Sequence, residues 1–211
     1  MNSVHLIGSV YAMSIVERRE REKEHMRRLI LDTAMKLFIE EGYENVSIRR
    51  IAEKIEYSPA TIYLYYKDKD EILYRLHEDG FTELIKRQKT TLSIKQPLER
   101  LHRLCEIYIS FALKNREYYN LMFIMKAPMR KLNKEWPCGY DSYKILRQTV
   151  EECIQAGKLP AANLDAATIA MWSFVHGFAS LIIRGRLRMV PEEQLSAIIK
   201  EVMEFNRKLQ G

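Results

Sequence analysis

The residues best suited to chemistry lie in one short stretch, Ser47 to Lys69. Arg49 and Arg50 carry guanidinium groups that suit phosphate or guanine. Thr61 offers a hydroxyl and a methyl, Tyr63 and Tyr65 offer phenols on rigid rings, and Ser58 and Ala60 are small enough for backbone to approach a large partner. Lys69 sits where a later helix begins, and a cation there opposes the helix dipole unless an anion accompanies it. Together these groups suit recognition of a nucleic-acid duplex, in which phosphate contacts position the protein and base contacts specify the sequence.

Covalent chemistry finds little support. No nucleophile has a nearby base, there is no glycine-rich phosphate loop, and the five histidines are scattered. A carboxylate-bridged metal site needs two Glu-x-x-His motifs and two further glutamates on facing helices. Glu22-x-x-His25 is such a motif, but it lies inside a charged run and is not a site. No enzyme, cofactor or metal is expected. The cysteines Cys105, Cys138 and Cys153 match no zinc spacing, and their odd, sparse count suits a reducing cytoplasm.

The elements that must position the stretch are helical. Apolar residues recur at three and four, and no strand alternation or repeat is visible. A helix is expected from about Val16 to Glu41, opening on a charged run with favourable pairs Glu17–Arg21 and Glu24–Arg28. Met26, Ile30, Ala34, Leu37 and Phe38 form its apolar stripe, and Gly42 is a left-handed C-cap. Ser47 caps a helix from Ile48 to about Ile55. Ser58 followed by Pro59 starts another through Tyr65. Asp68 and Glu71 form a capping box for a helix to about Lys89. Two short helices separated by a tight turn have the size of a helix-turn-helix, whose second helix lies in the major groove.

Further helices are expected at about Pro97–Lys114, Glu117–Met125, Asp141–Ala156, Asp165–Ile183 and Pro191–Leu209, with a break from Lys126 to Gly139. The fold class is therefore all-α: a helix-turn-helix domain over residues 14–70 and a larger helical-bundle unit over 71–211, with the boundary inside the Asp68–Lys89 helix. Residues 1–13 carry no charged side chain and lack the features of a secretory signal. They read as a loose tail, or as an upstream start with Met13 as the true one. No apolar run is expected to reach the ~18 residues of a membrane span.

At 211 residues, with 47 % hydrophobic and 29 % charged residues, the composition is globular. Net charge is +6 and permits an acidic partner. Its distribution is uninformative: Ser14–Asp70 holds twelve basic and twelve acidic residues, and the excess lies beyond it. A claim on nucleic acid must rest on placed residues.

Residues 28–73 resemble the DNA-binding domain of the tetracycline-repressor (TetR) family. The run includes Ile30-Leu31-Asp32-Thr33-Ala34, Leu37-Phe38, Glu41-Gly42-Tyr43, Ser47-Ile48-Arg49-Arg50-Ile51-Ala52, Ser58-Pro59-Ala60-Thr61-Ile62-Tyr63-Leu64-Tyr65-Tyr66 and Lys67-Asp68-Lys69-Asp70-Glu71-Ile72-Leu73. The resemblance implies a DNA-binding, ligand-responsive transcriptional regulator, most often a repressor. It implies DNA-binding roles for Ser47, Arg49, Ser58, Ala60, Thr61, Tyr63, Tyr65 and Lys69. Tyr63 and Lys69 would meet phosphate, and Arg49, Ala60, Thr61 and Tyr65 would face bases or sugars. Ile51, Ala52, Ile62 and Tyr66 would pack in the core. The turn has Glu56 where the family usually has glycine; a left-handed Glu costs about 1 kcal/mol or more, so either the geometry differs or the strain is carried. Trp172-Ser173-Phe174-Val175-His176-Gly177 resembles the Trp…His-Gly signature of one subgroup of the family's C-terminal domains.

The second half is rich in aromatics: Tyr108, Phe111, Tyr118, Tyr119, Phe123, Trp136 and Tyr140. Such residues are core formers, and they also line ligand cavities of roughly 300–1,000 Å³. Tyr108, Phe111, Tyr119, Phe123, Trp172 and His176 are the expected effector-binding residues, for a small, largely apolar or aromatic molecule. His176 reads first as a satisfied core histidine, and second as a pocket wall that hydrogen-bonds an effector. Ala166, Ala170, Ser173, Gly177 and Ser180 form a small-residue stripe, and Leu195, Ile198, Ile199, Val202 and Leu209 an apolar one. The family's dimers use these two helices; packing within one chain is the rival account. The expected partners are an operator duplex, an effector and a second copy of the chain, in the cytoplasm and away from membranes. A helical adaptor that binds no DNA is the alternative function.

Overall fold

A computed structural model describes residues 3–125 and 137–210. Among the described residues there is no strand. The helices are α1 (Ser3–Glu41), α2 (Ile48–Lys54), α3 (Pro59–Tyr63), α4 (Lys69–Lys89), α5 (Pro97–Lys114), α6 (Arg116–Tyr119), α7 (Pro137–Gln155), α8 (Leu164–Ile183) and α9 (Glu192–Gln210). Two compact units divide inside α4, between Leu76 and His77.

In the first unit, α1 begins at Ser3 rather than near Val16, so the backbone expected to be a loose tail continues the helix. Along its charged stretch Arg18 pairs with Glu22 at 3.2 Å, Lys23 with Glu20 at 2.7 Å and Arg28 with Asp32 at 2.9 Å. All these side chains are largely exposed, and such pairs contribute little to stability. The core comprises Ile30, Ala34, Leu37 and Phe38 of α1, Ile51 and Ala52 of α2, Ile62 of α3, Tyr66, and Ile72 and Leu76 of α4. Gly42 ends α1 at φ 83°, ψ 145°. That is a positive φ but an extended ψ, not the left-handed helical cap expected from the sequence.

In the second unit, Phe81, Leu84, Leu101, Phe111, Tyr119, Val150, Cys153 and Ala179 are almost wholly buried. Gly80 permits the close approach of α4 to the turn after α6, because a Cβ there would meet Met122 Sδ at 2.5 Å. That turn, Asn120–Ile124, is a single π-helical one. Arg100 of α5 ties to Glu152 of α7 at 2.6 Å. Gly157 closes α7 as expected, with φ 66° and amide bonds from Gly157 to Ile154 and from Lys158 to Cys153.

One expectation fails on α8. Leu164–Ile183 has a mean hydropathy of 1.6 and is long and apolar enough, by composition alone, to meet the criterion for a membrane span. Its two faces differ. Val175, Phe178, Ala179 and Ile182 are buried, whereas Ala166, Ile169, Ala170, Ser173, Gly177 and Leu181 are exposed. The small-residue stripe therefore lies at the surface of this chain, with Ser180 at its edge, and packing within one chain does not account for it.

Candidate nucleic-acid interface and effector cavity

The reading head is built by its caps. Ser47 accepts a hydrogen bond from the Arg50 amide at 3.1 Å and starts α2. Ser58 accepts from the Thr61 amide at 3.2 Å, with Pro59 at the first helical position. Its Oγ also lies 3.0 Å from the Thr61 hydroxyl, so these two side chains are engaged with each other. Between them Glu56 takes φ 62°. The Glu56 amide donates to Glu53 O and the Tyr57 amide to Ala52 O, the paired bonds of a Schellman turn. The geometry the sequence resemblance called for is thus kept, and Glu56 carries the strain.

The structure separates the two arginines of α2. Arg50 grips Glu41 with its Nε and a terminal nitrogen, the latter at 2.8 Å, and this hydrogen bonding holds the Glu41 carboxyl below its usual range. Arg49 remains 82 % exposed, leaning on Glu53 at 3.1 Å. On α3, which ends at Tyr63 and not at Tyr65, Ala60 is exposed and Tyr63 is 56 % exposed; just beyond it Tyr65 is half-buried, while Ile62 and Tyr66 face the core as expected. Leu64 was missed by the sequence reading and is 80 % exposed. The signal was available: α3 buries Ile62, and a residue two positions on points away from it.

Lys69 is occupied. Its ammonium donates to the carbonyls of Tyr43 at 2.9 Å and Val46 at 3.0 Å, and sits 4.2 Å from the centre of the Tyr43 ring. The Tyr43 hydroxyl donates to Asp70. Asp68 accepts from the Glu71 amide at 2.8 Å, and the Glu71 carboxylate accepts from the Lys67 amide at 2.6 Å, one residue outside the box expected from the sequence. The first turn of α4 is therefore bolted to the loop after α1.

The second unit contains a cavity of about 600 Å³. Phe81, Leu104, Cys105, Tyr108, Phe123, Leu146, Met171, Trp172 and Val175 line it, with Gln88 in the same wall and residues 139–144 of α7 along one side. Of the expected effector residues, Tyr108, Phe123 and Trp172 line this space. Phe111, Tyr119 and His176 do not: Phe111 and Tyr119 are wholly buried in the core, and the His176 ring is held behind the wall. His176 Nδ1 lies 2.9 Å from the Tyr108 hydroxyl, and Tyr119 donates its hydroxyl to the His176 carbonyl at 3.1 Å. Burial pushes the His176 imidazole pKa down and both tyrosine pKa values up. Tyr140, in the original aromatic set, also lines the cavity; Tyr118 does not, and Trp136 lies outside the described residues. Among the described residues no cluster of three metal-ligating side chains is found.

Comparison with known proteins decides the family. The profile described as "Bacterial regulatory proteins, tetR family" matches residues 30–76, and "Tetracyclin repressor-like, C-terminal domain" matches residues 101–204. The chain belongs to the TetR family. Members of this family regulate transcription by binding DNA and are not enzymes. A relative, the HTH-type transcriptional regulator HbdR of Aromatoleum sp. (strain CIB), is 27 % identical over 196 residues, covering 88 % of this chain and 84 % of that protein. A tetR-family regulatory protein from Rhodococcus RHA1 shares the fold with a TM-score of 0.69 at 20 % identity, over 88 % of this chain and 96 % of that one. The fold is also that of FadR from Bacillus subtilis in complex with stearoyl-CoA, with a TM-score of 0.67 at 19 % identity over 84 % and 95 % of the two chains. As a TetR-family protein the chain is a transcriptional regulator, and the adaptor alternative falls away.

Proposed function

We propose that this chain is a cytoplasmic, homodimeric repressor that reads a palindromic operator with α2 and α3 and releases it when a small, largely apolar or aromatic effector enters the second unit. Arg49, Ala60, Thr61 and Tyr65 face bases or sugars, joined by exposed Leu64, whose methyls suit a thymine methyl. Tyr63 and the third N–H of Lys69 meet phosphate, and Ser47 and Ser58 hold the backbone close to it. Two copies read half-sites about 34–36 Å apart, or a multiple of that spacing.

The observation that carries this reading is the two-sidedness of α8. Met171, Trp172 and Val175 wall the cavity, while Ala166, Ala170, Ser173 and Gly177 lie uncovered on the opposite face. Gly177 has nothing within 4 Å of the place a Cβ would occupy, which leaves room for a second α8 to come close. On α9, Leu195, Ile199 and Val202 pack on their own core, but Phe205 is exposed and extends the apolar surface. One helix thus serves effector and partner, and α4 runs from the first turn below the reading head to Phe81 and Gln88 of the cavity wall. An effector acts only if it binds the released arrangement more tightly than the DNA-bound one. That FadR, with the same fold, holds stearoyl-CoA supports an apolar ligand.

The test is Ser173→Arg, which places a charge on the exposed stripe and leaves the core untouched. Sedimentation should show a dimeric wild type and a monomeric variant with lost operator affinity. A variant that stays dimeric would refute α8 as the dimer face.

A further inference from the structure

Gln88 belongs to the cavity wall, and among the described residues its side-chain oxygen, Oε1, has no hydrogen-bond partner. The residue is 5 % exposed. A buried amide oxygen left unpaired costs about 1–3 kcal/mol, so natural cores rarely keep one without use. Gln88 falls on the register of Phe81 and Leu84, a buried face of α4 whose other polar residue is His77. A Leu or Met would fit that register without penalty. Ser142 of α7 is a second buried polar residue of the wall. The Tyr108 hydroxyl is bonded to His176, and Asp141 and Lys144 are exposed, with Lys144 over the Tyr140 ring.

We infer that Gln88 is the polar anchor of the effector site, and that the effector is an apolar molecule whose buried end carries an uncharged hydrogen-bond donor, a hydroxyl or an N–H. The inference rests on the effector reading of the cavity. An ionised carboxylate at that end would set an anion against a carbonyl oxygen, and Lys144, the cation in the lining, is exposed and sits over the Tyr140 ring. A methyl in place of the donor would leave Oε1 as unsatisfied as it is without ligand. A site with one committed hydrogen-bonding group rejects analogues lacking the matching group far better than it rejects changes of size.

The test uses the full chain and two probes of equal shape, 4-hydroxybiphenyl and 4-methylbiphenyl, followed by tryptophan emission, since Trp172 lines the cavity, and by thermal shift. The expected result is tighter binding of the hydroxyl probe by about tenfold or more in the wild type, with the preference abolished in Gln88→Met. Gln88→Met, relieved of its orphaned oxygen, should fold at least as stably. Equal binding of the two probes by the wild type would overturn the role of Gln88 while leaving an apolar effector site intact. Absence of any response to either probe would overturn the effector reading itself, and this inference with it.

Discussion

The Tyr108 hydroxyl lies 2.9 Å from Nδ1 of His176. The Tyr119 hydroxyl, which donates to the His176 carbonyl, also lies 3.2 Å from the same Nδ1, so two phenols converge on one imidazole nitrogen. A residue of the cavity wall is thereby fixed to the α8 helix behind it. Tyr108→Phe should cost about 1 kcal/mol in urea unfolding, the net value of one hydrogen bond, because Tyr119 still reaches Nδ1. It should leave the His176 pKa depressed, since burial is what holds it down. Imidazole titration by NMR reads this directly; a pKa restored to its ordinary value would show that the Tyr108 bond, and not burial, holds it down.

Glu56 occupies a left-handed position at φ 62° inside the helix-turn-helix. Glu56→Gly removes that strain and should raise stability by about 1 kcal/mol, seen as a higher Tm. An unchanged or lower Tm would show that the Glu side chain compensates for its backbone.

Lys69 gives a prediction with two readouts. Its bonds to the Tyr43 and Val46 carbonyls are charge-assisted, so Lys69→Met should destabilise the first unit by about 2 kcal/mol. If its third N–H meets phosphate, the slope of log affinity against log salt should also fall by about 1. Loss of stability with an unchanged slope would assign Lys69 to architecture alone.

His77 lies buried with neither ring nitrogen hydrogen-bonded, and burial holds its pKa down to about 4. The unfolded chain takes up this proton as pH falls through about 6.5, whereas the folded chain does not until about 4. Stability from this residue is therefore complete above pH 6.5 and lost below it, by roughly 3 kcal/mol at pH 4. His77→Leu should flatten the acid limb of a stability–pH curve and leave neutral stability equal or higher. An identical acid limb would show that the ring protonates in place.

The reading head was legible in the sequence because its signals are local. Ser47, Ser58-Pro59 and the Asp68–Glu71 pair cap their helices within a few residues, and the structure keeps all three. Lys69 was read through the helix dipole, which called for an anion from outside. Its partners are carbonyls 23 and 26 residues away, and no local pattern shows them. On α8 the small stripe was visible, but which face meets the core depends on helices brought in from elsewhere. The same holds for the cavity: Phe111 and Tyr119 look like Tyr108 and Phe123 in sequence, and only packing puts them behind the wall. Gln88 and His77 were readable and overlooked. Both are polar residues on the α4 register of Phe81 and Leu84, and a polar side chain on an apolar register is a signal in itself.

The central claim, a sequence-specific DNA regulator, is tested most directly by fluorescence anisotropy of the purified chain. The duplex would come from upstream of its own gene or by selection from random sequence, with a scrambled duplex of equal composition as control. Salt would be stepped from about 50 to 200 mM, over which about 6–10 phosphate contacts predict a loss of about 10³–10⁵-fold in affinity. The account predicts tight, salt-dependent binding to the selected duplex alone, weakened by Tyr63→Phe. Binding that stays weak and equal for selected and scrambled duplexes would contradict it.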